Sequence, residues 1–228
     1  MNVRLRNITT LLLFCATASV AQQSLYTVAV SSSYTTSAKL FYNPNASDYN
    51  RSEFFPLDNI FGFGIEVRRA FVEGIVQVGA SAEYLSKSER FFKPITSSTY
   101  VQGKDGFTAF PIEFSGYVAI PFNSETVHMY IGGGAGVYIG KRVYEYAGVE
   151  SQTIAQQLGY GIHILTGFEY VIRPSLVLLG ELKFRDVQFE TTNAFSSRAG
   201  FTPPYSGPFS SRFSIDGMTL KVGLATRL

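Results

Sequence analysis

Hydrophobic and polar side chains alternate with a period of two along several segments of the chain, which is the repeat of a β-strand. The clearest segment is residues 128–142. Its odd-numbered residues are mainly apolar. Its even-numbered residues are small or polar, among them Gly132, Gly134, Gly136, Gly140 and Arg142. The segment is therefore predicted to be a strand with one apolar face and one small or polar face.

The glycines on the second face indicate the concave inside of a closed barrel. Glycine weakens the interior of a strand, so several on one face need a packing reason. The inside of an eight-stranded barrel is only just wide enough for side chains, and large residues on some strands need small ones opposite. The apolar face would then contact lipid, where a closed barrel satisfies every backbone hydrogen bond. A soluble barrel with the apolar face inside is the alternative.

The same alternation recurs in eight segments, residues 25–34, 60–69, 74–85, 107–120, 128–142, 160–170, 176–184 and 218–228. Long polar loops are predicted at residues 35–59, 86–106, 143–157 and 187–212, and short turns between them at 70–73, 121–126 and 173–175. Long extracellular loops and short periplasmic turns alternate in outer-membrane barrels. We therefore predict an all-β fold, an eight-stranded antiparallel up-and-down transmembrane β-barrel, with both termini on the periplasmic side.

Two residues do not fit this pattern. Pro111 cannot donate a ladder hydrogen bond, so a bulge or local irregularity is predicted near the start of its strand. Leu165 is an apolar residue on the face that should point inward.

The N-terminal segment predicts secretion. Two arginines lie within residues 1–6, an apolar run follows, and Ser19, Val20 and Ala21 form a small-residue cleavage site typical of a signal peptide. A membrane anchor is the alternative, but it would need roughly 17–25 apolar residues, and this run offers only about ten. We predict a signal peptide at residues 1–21 and one barrel domain at residues 22–228. Cys15 is the one cysteine in the chain, so cleavage would leave no thiol for a disulfide or a metal site.

Charged residues on the inward faces should pair with each other, because an isolated buried charge costs several kcal/mol. Five acids and five bases are predicted inside, with Arg142 near the strand end and nine residues forming an interior network: Glu66, Arg68, Glu83, Glu113, Glu169, Glu181, Lys183, Arg185 and Lys221. Glu113, Glu181, Lys183 and Lys221 are predicted to form one cluster at mid-barrel. The charges either fill the barrel or act as a proton or ion relay.

Few residues suggest catalysis or cofactor chemistry. The glycine run does not fit a dinucleotide-binding or P-loop motif. His128 and His163 are the two histidines; they are far apart in the predicted hairpins and do not suggest a metal site. We predict no enzymatic activity, no cofactor and no metal. The net charge of +2 does not suggest nucleic-acid binding.

The glycine-rich strand, the hairpin rhythm and the alternation of Leu220, Val222 and Leu224 near the end resemble the small eight-stranded outer-membrane barrels of the OmpA/OmpX type. This resemblance covers the chain after residue 21. It implies a porin-like protein of the Gram-negative cell envelope, with outer-membrane lipid and the barrel-insertion machinery as partners. Such barrels usually end in an aromatic residue, and this chain ends in Leu228.

Aromatic residues are frequent in the predicted loops, among them Tyr42, Phe55, Phe91, Tyr144, Tyr205 and Phe209. They suit either an interfacial aromatic girdle or an exposed recognition surface. We predict a structural, adhesion or surface-interaction role, with a possible extracellular ligand bound by the loops. The alternatives are a narrow channel or carrier of small or hydrophobic solutes, and a membrane-embedded hydrolase.

Overall fold

A computed structural model describes residues 25–47, 49–71, 75–94, 100–121, 124–196 and 200–228. The predicted signal peptide lies outside these residues, as does residue 74 at the start of the third predicted strand. Among the described residues, no helix is long and apolar enough to cross a membrane.

The described residues form one antiparallel sheet and a short 3-10 helix at Tyr49–Ser52. The strands are β1 (Tyr26–Phe41), β2 (Phe54–Phe71), β3 (Val76–Pro94), β4 (Tyr100–Ala119), β5 (Val127–Tyr146), β6 (Val149–Glu150), β7 (Gln152–Gln156), β8 (Gly159–Arg173), β9 (Leu176–Ala194), β10 (Phe209–Ile215) and β11 (Met218–Arg227).

The sheet closes into a barrel. Neighbouring strands pair in the order β1, β2, β3, β4, β5, β8 and β9, and β9 pairs with both β10 and β11, which in turn pair with β1. The pairs Ile215↔Val187 and Met218↔Phe184 keep one register, so β10 and β11 act as one barrel strand. Within the described residues the barrel therefore has eight strands, which confirms the predicted fold class.

The apolar faces point outward. Phe63, Phe114, Ile162 and Val222 are each 60% exposed or more, although they are among the most apolar residues of their strands. Further along the strands the outward face turns polar, at Ser86, Lys141 and Asp186 for example. Exposed apolar side chains in such a band are typical of a lipid-facing belt. The alternative of a soluble barrel with an apolar face turned inward is therefore wrong.

Most of the predicted long loops are strand. β1, β3, β4, β5 and β9 continue well past the lipid-facing belt, and the described residues of the range 86–106 are the paired ends of β3 and β4. These segments extend the barrel at the end away from residues 25 and 228, which we call the distal end. The opposite end is the proximal end. The prediction of long loops was wrong for these segments. They lie outside lipid and do not need an apolar outer face, so the alternation that marks a strand in the sequence is lost there.

In β1 and β2 the alternation also changes phase. Thr35 and Ile60 are buried and paired, but the next buried residues are Ala38 and Leu57, an odd number of positions away. Asn59, between them, has a positive φ of 59°, which a residue with a side chain seldom adopts. The shift exchanges the inner and outer faces, so a single period of two could not extend through residues 35–59.

Pro111 produces no bulge. β3 and β4 keep the same register from Ala82↔Ile112 to Leu85↔Ala109, but the two intervening pairs are not formed. Proline lacks the N–H that the ladder needs, so it interrupts pairing without inserting a residue. The predicted irregularity near the start of the strand is therefore present, as missing pairs and not as a bulge.

Close packing explains two of the glycines. At Gly134 a Cβ would collide with the backbone oxygen of Phe114 on β4. At Gly217 a Cβ would lie 2.5 Å from the backbone oxygen of Ser37 on β1, at the point where β10 passes into β11. Both are sites where two backbones approach closely, a situation that favours glycine.

Candidate functional site

The lumen of the barrel is filled in layers. A small apolar cluster of Ala29, Val177, Leu179 and Ala225 lies at the proximal end. Beyond it lie a charged cluster, then a wide apolar layer, and finally a pocket at the distal end. The layers follow from the alternation, because every inward residue of each strand adds one side chain at a fixed height.

The proximal half of the charged cluster is built around Arg68. Its guanidinium donates to Glu66 at 2.6 Å and to Glu181 at 3.1 Å, and lies 3.7 Å from Glu169. The ammonium of Lys221 lies 2.6 Å from the second carboxylate oxygen of Glu66. All five side chains are at most 5% exposed. Each buried charge therefore has an opposite charge in contact, as burial requires.

Two tyrosines complete this half. The guanidinium carbon of Arg68 lies 4.1 Å from the ring centroid of Tyr117 and 4.8 Å from that of Tyr130. The hydroxyl of Tyr117 donates to Glu66, and that of Tyr130 donates to Glu181 at 3.2 Å. Leu165 packs against both rings. The inward leucine that did not fit the sequence pattern therefore fills space beside the aromatic pair.

The distal half of the charged cluster is built around Lys183. Its ammonium lies 2.6 Å from Glu113, 3.5 Å from Glu83 and 3.7 Å from Glu181. Arg185 lies 3.0 Å from Glu83 and 3.6 Å from Glu113. The contact to Glu181 joins the two halves into one cluster.

The four residues predicted at mid-barrel are thus linked. Lys221 and Glu181 are cross-strand partners on β11 and β9, 3.7 Å apart, and Lys183 connects Glu181 to Glu113. The side chains of all four residues point into the lumen, and their apolar neighbours along the strands face lipid. The opposite placement would put these charges at the bilayer midplane, which would cost about 2–4 kcal/mol for Lys or Arg.

Arg142 is not in this cluster, although the sequence placed it among the five interior bases. It lies near the distal end and makes a two-pronged ion pair with Asp105, at 2.8 Å and 2.6 Å. At the proximal end Arg227 contacts Glu169 at 2.7 Å instead. Among the described residues the cluster therefore still contains five acids and five bases. Asp105 and Arg227 were missed because one fell in a predicted loop and the other on the last residues of the final strand.

The two histidines lie in different layers of the barrel. His163 is buried, with its Nε2 2.8 Å from the hydroxyl of Ser115 and its Nδ1 4.0 Å from Glu113. His128 lies at the proximal end, 3.3 Å from Arg227. In the described part of the chain no group of three His, Cys, Asp or Glu side chains is arranged so that it could hold a metal ion.

A wide apolar layer lies above the charged cluster. Phe213 is at its centre, with its ring 5.2 Å from the rings of both Phe107 and Phe189. Other fully buried members come from β1, β2, β3 and β10: Ala38, Leu40, Leu57, Ile60, Leu85 and Ile215. β8 contributes glycine here, and a Cβ at Gly161 would collide with Val187. The layer fills the lumen across its width.

The distal pocket lies above this layer and has a volume of about 230 Å³. Its lining is Tyr42, Phe55, Glu89, Arg90, Phe91, Asp105, Arg142, Tyr144 and Tyr205. Aromatic residues that were predicted to lie in separate loops therefore meet around one cavity. The ion pair of Asp105 and Arg142 is buried within it, and Arg142 also donates to Ser211 at 2.6 Å.

Burial affects the acid–base behaviour of the pocket. Tyr42 follows the end of β1, and its partial burial, with the nearby charge of Asp105, raises the pKa of its phenol to about 12. Burial likewise raises the pKa of Tyr144. Both hydroxyls therefore stay protonated and able to donate across the physiological range.

Comparison with known proteins supports the fold and gives no family. No protein-family model matches the chain, and no curated protein matches its sequence. The outer membrane protein OprG from Pseudomonas aeruginosa is similar in structure, with a TM-score of 0.54 at 9% identity, covering 90% of this chain and 97% of that one. Neisserial surface protein A has a TM-score of 0.47 at 14% identity, over 90% of this chain and 98% of that one. Ail, the attachment invasion locus protein of Yersinia pestis, has a TM-score of 0.44 at 12% identity, over 91% and 100%.

The closed sheet, the outward apolar belt and the filled lumen define a small outer-membrane β-barrel protein. The similarity to OprG agrees with this fold. At 9% identity it indicates a shared fold and not a shared ligand. The role of this chain has to be argued from its own lumen and distal end.

Proposed function

We propose that the protein is a closed outer-membrane barrel that acts at the cell surface through its distal end, in adhesion or another surface interaction, and does not conduct solutes. The observation that carries this proposal is the apolar layer around Phe107, Phe189 and Phe213. Moving an ion through it would strip the ion of water without a replacement ligand, which is strongly unfavourable.

The charged cluster supports the same proposal. It holds opposite charges in equal number among the described residues, with ion-pair distances down to 2.6 Å. A conducting path of one ionic type needs a surplus of one sign or polar groups free to exchange with the ion. Mutual pairing makes these side chains structural filling for the lumen.

The distal extension is the part available for interaction. β3 and β4 continue paired as far as Pro94↔Tyr100, beyond the belt, and carry exposed rings at Phe92 and Tyr100. In this proposal the distal end faces outward, as the longer ends of outer-membrane barrels do, and both chain ends face the periplasm.

A pair of cysteine variants tests the orientation. Ser206 lies in the distal loop and Ser175 in the proximal turn between β8 and β9. Because Cys15 is the one native cysteine and lies in the predicted signal peptide, each variant adds a single thiol to the mature chain. We expect a membrane-impermeant maleimide to label Ser206→Cys on intact cells, and to label Ser175→Cys only after the outer membrane is permeabilised. The reverse pattern would overturn the proposed orientation.

Planar bilayer recordings test closure. We expect purified protein to give no defined conductance step. A steady conductance that disappears in Lys221→Ala would instead favour the alternative of a narrow channel or ion relay through the charged cluster.

A further inference from the structure

The distal pocket extends the proposed function, because its chemistry specifies the class of molecule that it fits. Aromatic rings form most of its wall. Tyr144 is central: its ring is nearly parallel to Phe91, with centroids 6.1 Å apart, and it meets Tyr205 at 6.0 Å in an edge-on arrangement. Aromatic rings favour ligands that are themselves flat and apolar, through offset-stacked or edge-to-face contacts.

The wall is also held in place. Phe91 pairs across the ladder with Gly103, and its ring covers that glycine so closely that a Cβ there would collide with it. Tyr144 is only 6% exposed and lies against the guanidinium of Arg142, 4.6 Å from the ring centroid. A pocket whose rings are fixed before binding loses little conformational entropy when a ligand enters.

The charges of the pocket neutralise each other. The lining carries two acids and two bases, Glu89, Asp105, Arg90 and Arg142, so its formal charge is zero. The two buried charges, Asp105 and Arg142, are bound to one another at 2.6 Å, whereas Arg90 is exposed and Glu89 contacts Lys87 at 3.2 Å. A charged ligand in the buried part of the pocket would give up its water without gaining a free buried counter-charge, so this part favours a neutral molecule. The tyrosine hydroxyls and the edges of the Asp105–Arg142 pair can still offer hydrogen bonds to one polar group.

The volume limits the size of that molecule. A cavity of about 150 Å³ is large enough to bind benzene. The distal pocket, at about 230 Å³, has room for a substituted ring or two fused rings. The apolar layer beneath it closes the way into the barrel, so the molecule would be held at the surface.

We propose that the distal pocket binds a neutral, flat aromatic molecule of one or two rings that carries one hydrogen-bonding group. The rings of Phe91 and Tyr144 would contact its faces or edges. The Asp105–Arg142 pair would bind its polar group.

Indole is a suitable probe, because it is neutral, has two fused rings and carries one N–H. The chain contains no tryptophan, so the protein itself adds no indole fluorescence, and the empty nanodiscs supply the remaining background. Binding would be measured with the full protein in lipid nanodiscs, against empty nanodiscs of the same lipid. Such a preparation exposes both ends of the barrel, so the result does not depend on the orientation that the cysteine variants test.

Two neighbouring phenylalanines provide a matched comparison. Phe91 lines the pocket, whereas Phe92 points outward and is 66% exposed. We expect saturable indole binding to the wild type and to Phe92→Ala, and binding roughly fivefold to tenfold weaker in Phe91→Ala and in Tyr144→Ala. A heat-dependent shift in gel migration would show that each variant is a folded barrel.

Competition separates the ligand classes. We expect 2-naphthol to displace indole and the non-aromatic cyclohexanol and glucose to leave it bound. The proposal is overturned if folded wild type binds no more indole than empty nanodiscs do, if Phe91→Ala binds as well as Phe92→Ala, or if glucose displaces indole as effectively as 2-naphthol.

Discussion

Removing the ammonium of Lys183 should destabilise the barrel far more than removing a surface ammonium. Lys183 is 2% exposed and is the closest cation to Glu113, at 2.6 Å, as well as a neighbour of Glu83 and Glu181. Among the described residues, the charged cluster of Lys183→Met keeps its five carboxylates and is left with four cations. One negative charge then has no counter-charge in the buried centre of the lumen.

The magnitude follows from burial. Breaking a buried ion pair by removing one partner costs about 3–5 kcal/mol, because the remaining charge stays buried. The contact between Lys87 and Glu89, 3.2 Å long but with side chains 20% and 38% exposed, is a matched control. Exposed pairs contribute about 0–1 kcal/mol, so Lys87→Met should change stability little.

A double variant tests whether charge is the cause. Glu113→Gln removes one carboxylate and keeps an oxygen to accept the hydrogen bond from Tyr138. Lys183→Met with Glu113→Gln restores equal numbers of acids and bases, and we expect it to regain about 2 kcal/mol or more relative to Lys183→Met.

The assay is urea unfolding in lipid vesicles, with the folded fraction read from gel migration without heating. The reasoning would be refuted if Lys183→Met cost no more than Lys87→Met. It would also be refuted if the losses of Lys183→Met and Glu113→Gln simply added in the double variant.

Three further predictions follow from single positions. Gly134→Ala should cost about 1–3 kcal/mol in the same unfolding assay, because its Cβ would collide with the backbone of Phe114. Gly116→Ala is the control and should be near neutral, because a Cβ there meets nothing within 4 Å. Equal costs for the two variants would contradict the view that close packing requires glycine at position 134. Asn59→Ala should be less stable than Asn59→Gly by about 1–2 kcal/mol, because the φ of 59° disfavours a Cβ and both variants lose the same amide; equal stabilities would rule out this cause. The phenol of Tyr42 should ionise near pH 12, above the usual value of about 10. The phenol therefore stays protonated to a higher pH in the folded state than in the unfolded chain, and the stability that this proton contributes is lost as the pH rises from about 10 towards 12. Ultraviolet titration of the wild type and of Tyr42→Phe measures this ionisation. If the step missing from Tyr42→Phe lies near pH 10, the prediction is contradicted.

The lipid-facing part of the barrel could be predicted from the sequence because lipid imposes the pattern that was observed. Each lipid-facing position has to be apolar, and the next one faces a lumen that admits glycine or paired charge. The fold class follows directly from that contrast. Inward positions such as Glu181 and Lys221 could be assigned in the same way, since both faces of their strands are constrained.

The distal half could not be predicted, for two physical reasons. Past the belt the outer face meets water, so polar residues on both faces of β3 and β4 resemble a loop. In β1 and β2 the phase shift at Asn59 also hides the alternation from any constant period. The ion pair of Asp105 and Arg142 was missed for the first of these reasons, because Asp105 lies on the distal part of β4, which had been assigned to a loop.

The arrangement of charges has a consequence for biogenesis. The last barrel strand carries Lys221, whose ammonium reaches Glu66 on β2, and Arg227, which reaches Glu169 on β8. Before that strand docks, the described cluster has five carboxylates and three cations, so a barrel lacking its final strand holds two surplus negative charges. Insertion of the C-terminal strand therefore closes the sheet and neutralises the charged cluster in one step. This favours the closed barrel over any partly assembled form.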